Sequence, residues 1–308
     1  MGEDEVGLRC AAGIQETRSR ARLASWSLAA AGCLWGTGFL FGKIAFREMT
    51  VTENVAFRFA CGSIGLLPFL VKNWKPYRGR ELWMLLLASV IGVPLQFMVQ
   101  FKGLQLTTVS HASLIIGTLP MMVAVGSAVF LHERLHGIEW GILLLSAVGA
   151  VLIAVSNGHA SGPQPSTRGD LLVLVSMVAA VVMILLTKRL FDTHDAIQVT
   201  ASMIVLGTIF LLIGAEILQP LRFQFSPKTW VAVLAQGALA TTAAYLFWNW
   251  GLSIIPASRA GVFLNLEPVV GTLLGLAILH ERLGVMAILG GAMIIGSAVF
   301  FSRSKPKS

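Results

Sequence analysis

Long apolar runs separated by short polar breaks set the pattern of this chain. They cover residues 26–45, 52–71, 82–101, 108–131, 138–156, 171–187, 196–218, 230–250, 257–279 and 283–301. Each is close to the ~20 residues a helix needs to cross the hydrocarbon core of a bilayer. The expectation is an all-α integral membrane protein with ten transmembrane helices. The one long connector, 157–170, is rich in Gly, Pro and Ser and reads as a flexible linker. Residues 1–24 form a polar tail, acidic at Glu3, Asp4 and Glu5 and basic at Arg18, Arg20 and Arg22. A basic start before an apolar run imitates a signal peptide, but the length of the first run and the runs that follow favour an uncleaved first span.

The two halves repeat. Residues 101–135, FKGLQLTTVSHASLIIGTLPMMVAVGSAVFLHERL, shifted by 148 positions lie without a gap on residues 249–283, NWGLSIIPASRAGVFLNLEPVVGTLLGLAILHERL. Ten of the 35 positions are identical, including Pro120 with Pro268 and both His-Glu-Arg-Leu closes. Such a repeat fixes the architecture before any single residue does. It divides the chain into a tail (1–24), a five-helix repeat (25–156), the linker (157–170) and a second five-helix repeat (171–303). Five spans per half is an odd number, so the second half enters the membrane inverted. Inverted repeats are a recurrent build for secondary transporters, with the substrate site near the midplane where the repeats meet.

Composition agrees. Apolar residues make up 56% of the chain and charged ones 12%, too little charge to cover a soluble surface. The net charge of +8 reads as cytoplasmic-loop bias, since the basic residues form no patch with interleaved aromatics and nucleic acid is not expected. With the N-terminus inside, cytoplasmic segments carry 14 Lys and Arg against 7 outside, which places both termini in the cytoplasm. Cys10, Cys33 and Cys61 show no metal or redox spacing. No nucleotide-binding loop and no zincin spacing occurs, so neither cofactor, metal, ATP drive within this chain nor enzyme activity is expected.

The repeat, the ten spans and the run LEPVVGTLLGLAILHERL of residues 266–283 resemble the EamA-type transporters of the drug/metabolite transporter superfamily. Trp35–Gly36, Lys43 and the Phe-Arg-Phe of residues 57–59 resemble that family's first repeat. The resemblance covers about residues 26 to 301. It implies a ten-helix inner-membrane transporter of metabolites, commonly an exporter of amino acids or related compounds, and a bacterial inner membrane as the location. One departure stands out: Leu119–Pro120 in the first repeat faces Glu267–Pro268 in the second, so the acid belongs to one half.

Deep polar residues are the candidate chemistry. Glu267 stands a few residues from the middle of its span, where an acid costs at least ~2.5 kcal/mol. Pro120 and Pro268 are expected to kink their helices. A kink exposes carbonyls, which are tolerated at membrane depth only beside protein or a wet cavity. Glu267 then lines the cavity, binding substrate or a proton, or else bonds a neighbouring helix. Arg58 is the other deep charge. At 1.5 Å per residue each lies roughly 5 Å from the midplane on opposite sides, ~10 Å apart in depth, so a direct bridge is not favoured. Arg58 either takes a substrate carboxylate or bonds helix ends. Gln96 and Gln100 share one helix face and should look inward. Tyr245, Trp248 and Asn249 offer stacking and hydrogen bonds or belong to an interfacial belt. Trp35 lies deep in the first span, and Asn265 stands two residues before Glu267. His111 and Arg259 occupy matching positions, as mouth-lining or interfacial residues. Gly32–Gly36, Gly38–Gly42 and Gly271–Gly275 have the spacing that lets helices approach closely, which also permits a homodimer.

The resulting expectation is a secondary transporter of a small molecule in the lipid bilayer, exporting an amino acid or related compound, with protons as the coupling ion if Glu267 titrates. A multidrug exporter of lipophilic cations is the alternative within transport. The small multidrug members of the superfamily carry a Glu in their first helix, and span 26–45 has no acid. A non-transporting scaffold or sensor is the alternative from another class, and the 24-residue tail gives it little soluble chain.

Overall fold

A computed structural model describes residues 3–71, 75–107, 115–156, 166–279 and 285–303. Every regular element among them is helical. The helices are α1 (Glu3–Ala45), α2 (Val51–Val71), α3 (Arg80–Leu106), α4 (Leu119–Phe130), α5 (Gly137–Ser156), α6 (Thr167–Leu190), α7 (Ala196–Leu218), α8 (Pro227–Ile254), α9 (residues 257–279) and α10 (Val285–Arg303). By length and composition, Ser19–Ala45 of α1 and the whole of α3, α6, α7 and α8 are able to cross a membrane. Most of linker 157–170, the start of the fourth span with His111, and the second corner with His280, Glu281 and Arg282 lie outside the described residues.

Local chemistry sets several helix starts. Asp195 accepts hydrogen bonds from the amides of Ile197 and Gln198 at the head of α7. Ser226 takes the Thr229 amide at the head of α8, with Pro227 at the first helical position, where no amide partner is needed. Two features of the backbone bear on these spans. The tail is continuous with the first helix, because α1 begins at Glu3 rather than near Trp26. Neither Pro120 nor Pro268 stands in the middle of an α-helical stretch. Pro120 stands in the first turn of α4, and Pro268 in the first turn of the α-helical part of α9, Leu266–Leu279, behind a 3-10 stretch, Gly261–Asn265. A proline's missing N–H costs nothing in a first turn, so the backbone changes conformation ahead of each ring.

The repeats do not form separate bundles. α5 lies along α10, α3 along α6, α1 against α8 and α9, and α2 against α7 and α8. Exchanging the halves maps this pattern onto itself: α1–α8 answers α6–α3, α1–α9 answers α6–α4, and α2–α8 answers α7–α3. Small residues set the approach. A Cβ on Gly36 would come within 2.7 Å of the Glu267 carbonyl oxygen and Val270. Gly62 meets Thr241 and the Gly237 carbonyl across α2–α8, and Gly207 meets Val93 and the Ser89 carbonyl across α7–α3. Ser89 and Gly237, and Val93 and Thr241, are each 148 apart, the shift of the repeat.

Both α3 and α8 contain a π-helical stretch, Ile91–Leu95 and Gln236–Ala243. The repeat shift carries 91–95 onto 239–243, within the second stretch. Such loosened turns cluster at functional sites. In α3 the cause is Pro94, which withholds an amide. In α8 there is no proline, and side chains enter the opened ladder. Thr242 Oγ1 reaches the Gly237 carbonyl of α8 at 3.2 Å as well as the Gly62 carbonyl of α2 at 2.8 Å, and Arg58 donates to the Ala240 carbonyl.

Candidate functional site

The described residues bring Trp35, Arg58, Tyr245, Trp248 and Glu267 together where α1, α2, α8 and α9 meet. Gly36 is the reason Trp35 arrives there, since its bare backbone presses on the turn that carries Glu267. The Trp35 ring meets Tyr245 edge-on at 5.5 Å and Trp248 at 5.5 Å and 53°. Tyr245 and Trp248 are 3% and 2% exposed, which removes them from any interfacial belt. Their spacing of three places both on the α8 face turned toward α1.

Arg58 is buried beside the π-helical turn of α8. Its Nε donates to Thr241 Oγ1 at 3.0 Å and a terminal nitrogen to the Ala240 carbonyl at 3.1 Å. The guanidinium also lies over the rings of Phe59 and Phe97, 5.3 and 5.2 Å from their centroids. It forms no ion pair with Glu267, yet Arg58, Tyr245 and Glu267 stand within electrostatic reach of one another. Glu267 is half-buried and accepts no hydrogen bond from a described residue. A guanidinium with donors left over, an unbonded carboxylate and three aromatic rings therefore share one interior region.

The remaining candidates stand apart from that group. Asn265 is buried and donates to Ser146 Oγ at 2.9 Å, joining α9 to α5. Gln96 is buried with its amide oxygen unpartnered, and Gln100 is half-buried. Asn249 donates to Thr200 Oγ1 at 2.8 Å. Arg259 does not line an open mouth: it is 8% exposed and paired at 2.5 Å with Glu139, itself 4% exposed.

Polar ties bracket the site at both ends of the bundle. At the α8–α9 turn, Glu133 of the first His-Glu-Arg-Leu corner accepts the Ala257 and Ser258 amides at 2.8 Å and the Ser258 hydroxyl at 2.7 Å. The carboxylate thus caps the N-terminus of α9, where the helix dipole favours negative charge. Lys188 Nζ donates to the Leu252 and Ile255 carbonyls, capping the C-terminus of α8 with positive charge. At the α1–α2 turn, Glu53 holds Arg222 at 2.7 and 3.0 Å, and Glu48 accepts the Ser226 amide at 2.7 Å and its hydroxyl at 2.6 Å. Those Ser226 bonds hold the Glu48 carboxyl below the usual range, and Glu53 raises Arg222 further.

Sequence reasoning did not single out Thr241, Phe97, Glu133, Glu139 or Lys188. The repeated corner was a signal for Glu133. For Thr241 there was none beyond a Thr-Thr pair inside an apolar run, because its role exists only once α2 lies on α8.

The model of the EamA-like transporter family matches residues 23–155 and 167–303. The chain is similar to the "Uncharacterized transporter YetK" of Bacillus subtilis (strain 168), 26% identical over 288 residues, covering 91% of this chain and 87% of that one. It is likewise 26% identical over 278 residues to the "Biotin transporter" of Escherichia coli (strain K12), covering 88% and 90%. One solved structure, titled only "Crystal structure of protein", superposes with a TM-score of 0.77 at 21% identity, covering 91% of this chain and 96% of that one, a likeness of fold.

Proposed function

The chain belongs to the EamA-like transporter family, and from that premise we propose that it is a secondary transporter of a zwitterionic amino acid or a close relative. The observation that carries this reading is the pairing of opposite charges across an aromatic wall. Arg58 supplies donors for a carboxylate, Glu267 an acceptor for an ammonium group, and Trp35, Tyr245 and Trp248 a surface for the apolar part. Arg58 is buried and Glu267 half-buried, so a zwitterion offers each a partner and is drawn from water without leaving a charge unpaired.

The mechanism we infer is alternating access by ten spans in two inverted repeats, with both termini in the cytoplasm of a bacterial inner membrane. The ties at Glu133 and Lys188 would release when the inner end opens, and those at Glu53 and Glu48 when the outer end opens. Net export follows if the cytoplasmic concentration is higher or if a proton competes with the ammonium for Glu267. A homodimer is compatible with the exposed apolar faces.

A second reading takes support from the relatives titled "Biotin transporter". A carboxylate on an apolar ring system would use Arg58 and the aromatic wall and leave Glu267 without a role. Uptake into proteoliposomes separates the two. The panel holds labelled neutral, aromatic and cationic amino acids, biotin, a nucleoside and one lipophilic cation, each with and without a pH gradient. Saturable uptake of a neutral or aromatic amino acid is expected. Saturable uptake of biotin alone would replace this reading with the second, and uptake of the cation alone would replace both.

A further inference from the structure

A groove of about 480 Å³ runs between α1, α2, α7 and α8, away from the aromatic site. Its walls are apolar: Leu23, Trp26 and Ala30 on one side, Phe69, Phe247 and Trp250 on the other. On α1 the lining residues fall at positions 23, 26, 27 and 30, a single helical stripe rising ~10 Å. Ser27 closes the floor by donating to the Phe247 carbonyl at 2.8 Å. Leu23 and Trp26 remain 58% and 69% exposed, so no part of the described chain covers this stripe.

The stripe does not end at Leu23. Just before it, Arg20 stands three before Leu23 and Arg22 four before Trp26, both exposed; being two apart, they flank the stripe on its two sides. A third cation reaches the same end of the groove. Lys75 is exposed, and its backbone carbonyl and amide bond the side chain of Gln198, the neighbour of the lining residue Ile197. Among the described residues none of the three enters an ion pair. Three exposed cations therefore stand at this end of the apolar groove, with Asp195, the cap of α7, the carboxylate beside the lining residue Ile197. Trp26 and Trp250 line the groove, and indoles prefer the headgroup boundary of a bilayer.

We propose that this groove is a binding site for one anionic phospholipid, with an acyl chain along α1 and the headgroup phosphate on Arg20, Arg22 and Lys75. Charge selects the occupant. An apolar groove alone would take any chain, but basic side chains at a membrane surface each strengthen binding of anionic lipid by about fivefold. The lipid would cover the seam between α1 of the first repeat and α7 and α8 of the second, and so would act on the packing of the halves without touching the substrate.

The test reads tryptophan fluorescence of the full chain in phosphatidylcholine vesicles. Chain-brominated phosphatidylglycerol or chain-brominated phosphatidylcholine is titrated in. The expected result is stronger quenching by the brominated phosphatidylglycerol at equal mole fraction. Arg20→Gln alone should weaken that preference about fivefold, and the triple variant with Arg22→Gln and Lys75→Gln should abolish it. Trp26→Phe should reduce the lipid-selective quenching, leaving the part that comes from Trp250. High salt should reduce the preference if it is electrostatic. Equal quenching by the two lipids, or a preference that survives in a triple variant of unchanged circular dichroism, overturns the proposal. Transport is not read, so neither result depends on the identity of the substrate.

Discussion

Replacing Arg58 by methionine separates what this residue does for the fold from what it does for the substrate. The structure itself suggests the substitution. Arg58 stands four before Gly62 and Met203 four before Gly207, and the two glycines make matching contacts with the π-helical turns of α8 and α3. Met203 is fully buried, so methionine is what the other half uses at the corresponding place. In Arg58→Met two charge-assisted hydrogen bonds are lost, at roughly 1.5–3 kcal/mol each. The desolvation cost of the guanidinium, several kcal/mol, is lost with them. The terms nearly cancel, and apolar replacements of buried charges are often neutral. Thermal unfolding of the purified variant should therefore stay within about 1 kcal/mol of the parent. Substrate affinity should not. Losing the partner of a desolvated carboxylate costs roughly 2–5 kcal/mol, a fall of thirtyfold or more. The assay is concentration-dependent uptake into proteoliposomes beside a melting curve on the same preparation. Unchanged affinity with unchanged stability would remove Arg58 from the substrate site. Unfolding of the methionine variant would make it a structural tie to the α8 turn.

Other substitutions test the remaining parts. Gly36→Ala places a methyl within 2.7 Å of the Glu267 carbonyl and should destabilise the protein by about 1–3 kcal/mol in a melting assay. Gly214→Ala, with nothing within 4 Å, should not, and equal losses would contradict the packing account. Glu133→Gln removes the negative cap from α9 and should speed amide exchange at Ala257 and Ser258 about fivefold, the equivalent of ~1 kcal/mol; unchanged protection would show that the cap contributes nothing. Glu48 has a depressed folded pKa, so its contribution is present above the ordinary carboxylate value of about 4.3 and is lost as pH falls through the folded value. Amide protection of Ser226, corrected for intrinsic rates, should then drop below pH 4 in the parent and show no such step in Glu48→Gln.

Much of this arrangement was legible in the chain because bilayer solvation leaves few choices. An apolar run of twenty residues must satisfy its own backbone and becomes a helix. The 148-residue shift announced two copies of one unit, and the helix contacts repeat on exchange of the halves. Glu267 and Arg58 were visible because charge is rare in such runs, and Trp35, Tyr245 and Trp248 because rings near them have something to face. What the sequence withheld depends on tertiary contact. The π-helical turn of α8 has no proline to announce it; Arg58 reaches it from α2, and its own Thr242 bonds back to α2. Arg259 looked like a mouth residue because Glu139, its buried partner, lies far away in sequence. Pro120 and Pro268 announced a change in the backbone, but nothing local reveals that the α-helical stretches begin at Leu119 and Leu266, just ahead of them.

The most direct test of the central claim is competition at the substrate site by two analogues of the transported amino acid, one lacking the ammonium and one with the carboxylate esterified. In the parent protein, both should compete at least thirtyfold less well than the amino acid. In Glu267→Gln the penalty for losing the ammonium should vanish, and in Arg58→Met the penalty for losing the carboxylate. Analogues that compete as well as the amino acid in the parent, or penalties that persist unchanged in both variants, would contradict the assignment of Glu267 and Arg58 to a zwitterion.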